Sequence, residues 1–259
     1  MRKLSLLLAA CLFGVWHHAG AVTIGANQSA GAVPMDPGTG LLGSYYKLNT
    51  TFVTSMAQAT QFISASGGPT ATFTTTAVCY PNCNLSEVTD ASTSLGGLLS
   101  GNATNLMYTV PPSQIPTTVD HSAMVLTGYI AIAQAGAYNF NLASDDGAQL
   151  TIGNQVVIAG STMHSFETDS GSAVFAAAGL YAINIQYFEN SGYTGLEFWA
   201  SNGSGTCIVG LAANCIGTAT TGAFYSTLSS SAPEPGTLTM FTVGLGALAW
   251  ARRRSRRAI

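Results

Sequence analysis

The chain has 259 residues, and only 7% of them are charged, eight Lys/Arg against eleven Asp/Glu. Seven of the eight basic residues lie near the two ends, so the stretch from Val22 to Ala232 holds Lys47 alone against ten acidic residues, a net charge of −9. A segment with one Lys and no Arg cannot neutralise a phosphate backbone, which excludes nucleic acid as a partner, while its acidity suits cations and keeps an exported protein soluble.

The first segment reads as an address. Arg2-Lys3, a mostly apolar run from Leu4 to Trp16 and the small residues Ala19-Gly20-Ala21 form a secretory signal peptide over residues 1–21. Leu8-Ala9-Ala10-Cys11 also fits a lipoprotein acylation box; the apolar run continues past that Cys, so this is the minor alternative. Val22 to Pro37 is small, polar and carries two prolines, and is expected to be a loose lead-in. Tyr45, Tyr46, Leu48 and Phe52 mark an early strand. Residues 53–120 are rich in Thr, Ser, Gly and Pro and do not predict a clear element order.

The middle of the chain reads more clearly. Tyr138-Asn139-Phe140-Asn141-Leu142 alternates and leads into Ser144-Asp145-Asp146-Gly147. Leu150 and Ile152 then alternate, Gly153-Asn154 supplies a two-residue turn, and Val156-Val157-Ile158 returns. Asp145 and Asp146 therefore stand at a strand end, and paired hard oxygens invite a hard cation such as Ca²⁺; read locally and alone, Asp-Asp-Gly is rather a plain polar turn. Tyr181, Ile183, Ile185 and Tyr187 share one face at period two, and Leu196-Glu197-Phe198-Trp199 continues a sheet. Most of these aromatics, Trp199 included, are expected in the core; Trp199 stacked on a sugar ring is the alternative. Phe224, Tyr225 and Leu228 suggest a last strand within Gly217 to Leu228. No long amphipathic helix is visible, so the fold class is all-β, one domain over residues 38–228.

Cys79, Cys83, Cys207 and Cys215 remain after signal removal, and an exported setting favours disulfides. Of three possible pairings, 79–83 with 207–215 closes two short local loops and is preferred; the spacing fits zinc poorly. No Gly-x-Ser-x-Gly elbow, His-Glu-x-x-His or phosphate loop occurs, and the chain reads as non-catalytic.

Two resemblances add to these readings. Ser144 to Ile158, preceded by Gly40 to Tyr46, Leu126 to Ile130 and Gly136 to Phe140, and followed by Gly179 to Asn190 and Leu196 to Trp199, resembles the protective-antigen N-terminal domain family over about residues 38 to 201. That resemblance implies a β-sandwich, barrel-like lectin fold and a carbohydrate-binding role. In its calcium-dependent adhesins the paired aspartates share the metal with an Asn of a neighbouring loop, and sugar hydroxyls complete the coordination. Carried onto this chain, it implies Asp145, Asp146 and Asn190 as metal ligands, with Glu189 and Tyr193 beside them at the glycan. Pro233-Glu234-Pro235, the apolar run 237–251 (a short anchor helix) and the arginines from Arg252 to Arg257 resemble the PEP-CTERM sorting signal, here within residues 229–259. It implies transient inner-membrane anchoring, processing by an exosortase-type enzyme and export to the surface or matrix of a Gram-negative envelope. The resulting expectation is an exported, calcium-assisted module that engages exopolysaccharide or surface glycans. The alternative is a structural matrix protein in which calcium only stiffens a loop.

Overall fold

The computed structural model describes residues 20–34, 38–50, 52–84, 86–209 and 224–228. The chain divides into a unit running to Ser226 and a second unit, Thr227–Ile259; the first is described below. Residues 1–19 of the signal segment, the apolar run 237–251, Pro233-Glu234-Pro235 and Cys215 lie outside the described residues.

The strands in chain order are β1 (Val22–Ile24), β2 (Ser29–Gly31), β3 (Leu41–Lys47), β4 (Ala71–Thr75), β5 (Cys79–Tyr80), β6 (Thr89–Asp90), β7 (Thr104–Tyr108) and β8 (Ser122–Ile132). They continue with β9 (Gly136–Asp145), β10 (Ala148–Ile152), β11 (Gln155–Ala159), β12 (Glu167–Phe175), β13 (Gly179–Glu189), β14 (Tyr193–Asn202), β15 (Cys207–Val209) and β16 (Phe224–Tyr225). Two helices, α1 (Met56–Ala65) and α2 (Leu95–Leu99), fall in the stretch that the sequence left undefined. One sheet runs β1-β12-β9-β14-β15, with β5 and β6 also paired to β14; the other runs β11-β10-β13-β8-β3-β4-β7, with β16 on β8 and β2 on β13. The fold is a β-sandwich.

Period-two patterning builds the core. Tyr138, Phe140 and Leu142 of β9 and Tyr181, Ile183, Ile185 and Tyr187 of β13 are all buried, as side chains on one face of a half-buried strand must be. The two sheets meet where Phe175 of β12 packs on Tyr181 of β13 at 4.8 Å and Phe198 of β14 on Phe224 of β16 at 6.0 Å, while within the first sheet Phe140 stacks on Phe198 at 6.3 Å and Phe175 meets Tyr138 edge-on at 5.4 Å. Each such ring contributes about 1.5–3 kcal/mol by leaving water.

Two expectations are corrected. The lead-in is not loose, because Val22–Ile24 pairs in parallel with Ala173–Phe175 and buries Ile24 completely. Three residues suffice because an open sheet edge supplies their hydrogen bonds. Trp199 is only partly buried, since its neighbours Phe198 and Ala200 take the inward face and alternation turns Trp199 outward. Cys79 and Cys83 are bonded to each other. Cys207 is also in a disulfide.

Candidate functional site

The two chain crossings between the sheets meet at one end of the sandwich. Asp145 closes β9 in the first sheet, and after Asp146-Gly147 the chain enters β10 in the second. Glu189 closes β13 in the second sheet, and after Asn190-Ser191-Gly192 the chain enters β14 in the first. Since β9 and β14 are neighbours, with Asp145 opposite Gly195, both crossings are held by sheet hydrogen bonds within a few residues. The peptide bond between Asp145 and Asp146 is cis.

Gly147 is required by space. A Cβ there would stand 2.5 Å from the Phe188 ring and 2.8 Å from the Thr162 carbonyl. The pair is thus pressed against β13 and the loop before β12, rather than lying in a free polar turn.

Backbone donors fix both carboxylates. Phe166 N–H donates to Asp145 Oδ2 at 3.1 Å, and Asn190 N–H donates to Asp146 Oδ2 at 2.7 Å. The backbone N–H groups of Ser191 and His164 also favour the charged form of Asp146. Both side chains are nonetheless mostly buried, at 8% and 4% exposure. Burial, then the charge of Asp146, pushes the Asp145 carboxyl up to about 6; burial likewise raises Asp146. Two carboxylates with no Lys or Arg beside them are costly to keep charged. The only Lys or Arg among the described residues, Lys47, is bonded to Asp120 and Thr118.

Asn190 is placed with equal care. Its Oδ1 accepts from Val53 N–H at 2.9 Å, and its Nδ2 donates to Ser191 Oγ at 3.3 Å, which settles the orientation of the amide. Its own carbonyl accepts from His121 N–H at 2.9 Å. Val53 is positioned by α1, whose N-cap Ser55 accepts from Gln58 N–H and whose Met56 and Ala59 pack with Leu48, Val53 and Phe188. The same segment holds the loop before β12, through Met163 N–H to the Thr54 carbonyl at 3.0 Å and Met56 N–H to the Ser161 carbonyl at 2.9 Å.

Glu189 sits differently from its sequence neighbours. It is wholly inside the protein, with 0% exposure, and its Oε1 has no hydrogen-bond partner. The buried Tyr187 hydroxyl lies 2.5 Å from the Asp145 carbonyl, 2.9 Å from Glu189 Oε2 and 2.7 Å from Thr194 Oγ1. A carbonyl only accepts, and Tyr187 has one proton, so a neutral Glu189 that donates to Tyr187 satisfies the set. Burial first, and the charge of Asp146 second, raise the Glu189 carboxyl from its ordinary 4.5 to about 9. Tyr193 is 61% exposed at the start of β14.

Sequence reasoning missed the supporting residues Tyr187, Thr194, Phe166, Val53 and His164. One signal was available for the first: Tyr181, Ile183, Ile185, Tyr187 and Glu189 are all at period two, so a carboxyl lies on the inward face of an apolar strand. The partners of Asp145 and Asn190 come from segments 21 and 137 residues away, and no local pattern announces them. His164, Glu167 and Asp169 also gather, each offering an atom within 4.8 Å of the others, but this group straddles the surface and Glu167 is 58% exposed. A cleft of about 400 Å³ lined by Lys47, Phe62, Pro69 and Val110 lies elsewhere, and its charged group is already bonded.

Residues 102–211 match the PA14 domain. That range runs through both aspartates, Glu189, Asn190 and Tyr193. The PA14 domain of the antifreeze protein MpAFP superposes with a TM-score of 0.59 at 22% identity, covering 78% of this chain and 98% of that one. The PA14 sugar-binding domain from an RTX adhesin superposes with a TM-score of 0.54 at 24% identity, covering 66% of this chain and 94% of that one. At these identities the likeness is one of fold. Residues 231–257 match the PEP-CTERM protein-sorting motif, which marks the chain as exported and directed to the cell surface. No curated protein matches the chain.

Proposed function

We propose that this protein is an exported surface module that binds carbohydrate through Ca²⁺ held by Asp145, Asp146 and Asn190. The observation that carries the reading is the aspartate pair: two buried carboxyl groups with backbone-fixed orientations and no Lys or Arg to balance them, only the His164 imidazole nearby. This donor set fits the ion, because Ca²⁺ takes carboxylate and amide oxygens and tolerates irregular geometry. The PA14 match over the same residues and the sugar-binding RTX adhesin domain among the structural neighbours support a glycan as the ligand.

When bound, the ion supplies open coordination positions for vicinal sugar hydroxyls. The chain's own residues do the rest. Phe166, Asn190, Ser191 and His164 hold the carboxylates through backbone N–H groups. Val53 and Ser191 hold the Asn190 amide, which has one oxygen lone pair still free. Glu189 stays neutral and inside, acting through Tyr187 on the Asp145 carbonyl rather than contacting sugar. No step breaks a covalent bond, so the role is binding. Exopolysaccharide or surface glycan is the ligand that a sorting signal of this kind brings within reach, with processing by an exosortase-type enzyme at Pro233-Glu234-Pro235.

The test is calorimetric titration of the full-length protein with Ca²⁺, with and without a glycan panel, and the same for Asp145→Asn/Asp146→Asn. Saturable Ca²⁺ binding, glycan binding that disappears with chelator, and loss of both in a variant that stays folded are the expected results. Ca²⁺ affinity is also expected to weaken by about tenfold per pH unit below the Asp145 value of about 6, as protons compete for the ligand. Glycan binding that survives chelation would overturn the metal-dependent mechanism.

A further inference from the structure

Strand β12 opens with two acids on its inward face. Alternation puts Glu167 and Asp169 on the same side as Ala173 and Phe175, which are buried in the core. Glu167 lies at the strand's open end and is 58% exposed, but Asp169 is half-buried. A Cβ on Gly160 would stand 2.2 Å from Asp169 Oδ2, so only Gly leaves room for this carboxyl beside the loop that leads into β12. Burial is the larger cause of a raised Asp169 carboxyl, and the His164 charge opposes it. Acids on an inward face need a partner. Lys47, the only Lys or Arg among the described residues, is engaged by Asp120 and Thr118.

His164, from the loop before β12, completes the group. Its Nδ1 lies 3.0 Å from the Ser165 carbonyl and 3.7 Å from Glu167 Oε1. A carbonyl only accepts, so Nδ1 carries the ring proton and Nε2 keeps a bare lone pair. Nε2 is buried and has no hydrogen-bond partner, although buried polar atoms nearly always find one. One ring N–H held by a carbonyl and the other nitrogen bare is how a metal-ligating imidazole is set. One atom each of His164, Glu167 and Asp169 lies within 4.8 Å of the other two. Ligands around a tetrahedral Zn²⁺ stand about 3.4 Å apart, and Glu167, mostly in solvent, is free to close the difference.

We propose that His164, Glu167 and Asp169 form a second metal site, which takes a divalent transition ion of the Zn²⁺ class and pins the loop before β12 to that strand. The site uses none of the side chains assigned to Ca²⁺ above and depends on neither calcium nor sugar. Its imidazole nitrogen selects Zn²⁺ over Ca²⁺ and Mg²⁺, which are held by oxygen. Three protein ligands leave a fourth position for water. The loop so held is the one whose Phe166 and His164 backbone N–H groups orient Asp145 and Asp146. The ion therefore braces the donors of the first site.

The probe is Zn²⁺ alone, titrated by calorimetry into full-length Asp145→Asn/Asp146→Asn, in which the aspartate pair carries no charge. The expected result is an equivalent of Zn²⁺ that excess Ca²⁺ does not displace. Adding His164→Gln or Asp169→Asn is expected to weaken that equivalent by at least about tenfold, since losing a ligand costs more than losing the group that orients one. Zn²⁺ is also expected to raise the melting temperature of the wild type. Glu167→Gln, a change on an exposed side chain, is expected to reduce this rise, which covers the case where a variant at His164 or Asp169 fails to fold. No saturable Zn²⁺ binding, displacement by Ca²⁺ with equal ease, or an affinity unchanged by His164→Gln overturns the site, and none of these outcomes touches the calcium reading of the aspartate pair.

Discussion

Glu189→Gln separates a neutral buried acid from an ionised one. Glu189 is fully buried, and its carboxyl is raised from 4.5 to about 9, burial being the larger cause and the Asp146 charge the second. Between these values the folded protein keeps a proton that the unfolded chain releases. The folded state therefore binds more protons, and stability falls as pH rises. The contribution is fully present below pH 4.5 and is lost on the way to about 9. At pH 7, about 2.5 pH units above the unfolded value, the loss at ~1.4 kcal/mol per unit amounts to about 3 kcal/mol. Gln keeps the shape and carries no titrating proton, so Glu189→Gln lacks this slope. Any fixed cost of placing an amide where Oε1 has no partner is the same at every pH and cancels from the comparison. The assay is urea unfolding of the full-length wild type and variant in chelator, from pH 4.5 to 7.5. The variant is expected to gain on the wild type by about 3 kcal/mol between pH 4.5 and 7, a relative midpoint shift on the order of 1 M urea. Parallel curves would show that Glu189 ionises in the folded state much as it does in the unfolded chain, and the proton count around Tyr187 would be wrong.

Gly147→Ala sets a methyl group against the Phe188 ring and the Thr162 carbonyl. It is expected to cost about 1–3 kcal/mol by overpacking and to weaken Ca²⁺ binding, both read from melts with and without the ion. Asn190→Ala leaves the Val53 N–H without its acceptor in a buried position. A loss of about 1–3 kcal/mol follows, measured by urea unfolding in chelator, where a contribution through metal cannot enter. Phe140→Ala removes a ring that stacks on Phe198 and meets Phe175 at the centre of the sandwich. The expected cost is about 3–5 kcal/mol, with hydrogen exchange accelerated throughout β9 and β14.

What could be read from one dimension was whatever repeats along one strand. Alternation placed Tyr138, Phe140 and Leu142, and then Tyr181 to Tyr187, on inward faces, because side-chain direction in a strand follows from position alone. Gly153-Asn154 announced its turn for the same local reason, a positive φ that only Gly takes freely. The aspartate pair was visible as adjacent carboxylates at a strand end, and the charge balance argued against nucleic acid as a partner. The C-terminal sorting motif was legible because it is linear by nature.

Tertiary structure decided what each of those residues meets. Val22–Ile24 looked loose because an edge strand of three residues has no pattern of its own and is stabilised by the edge it joins. Helix α1 escaped notice in a Thr- and Ser-rich stretch because its role is to anchor Val53 and the loop before β12, contacts made far away in sequence. Glu189 and Asn190 are neighbours in the chain, yet the crossing between sheets sends one inside, against Tyr187, and turns the other's backbone toward Asp146. The identity of the polar residues was written locally. Their burial, and therefore their charge, depended on two sheets closing over them, since the free energy of ionising a carboxyl is set by the water and the charges it has left around it.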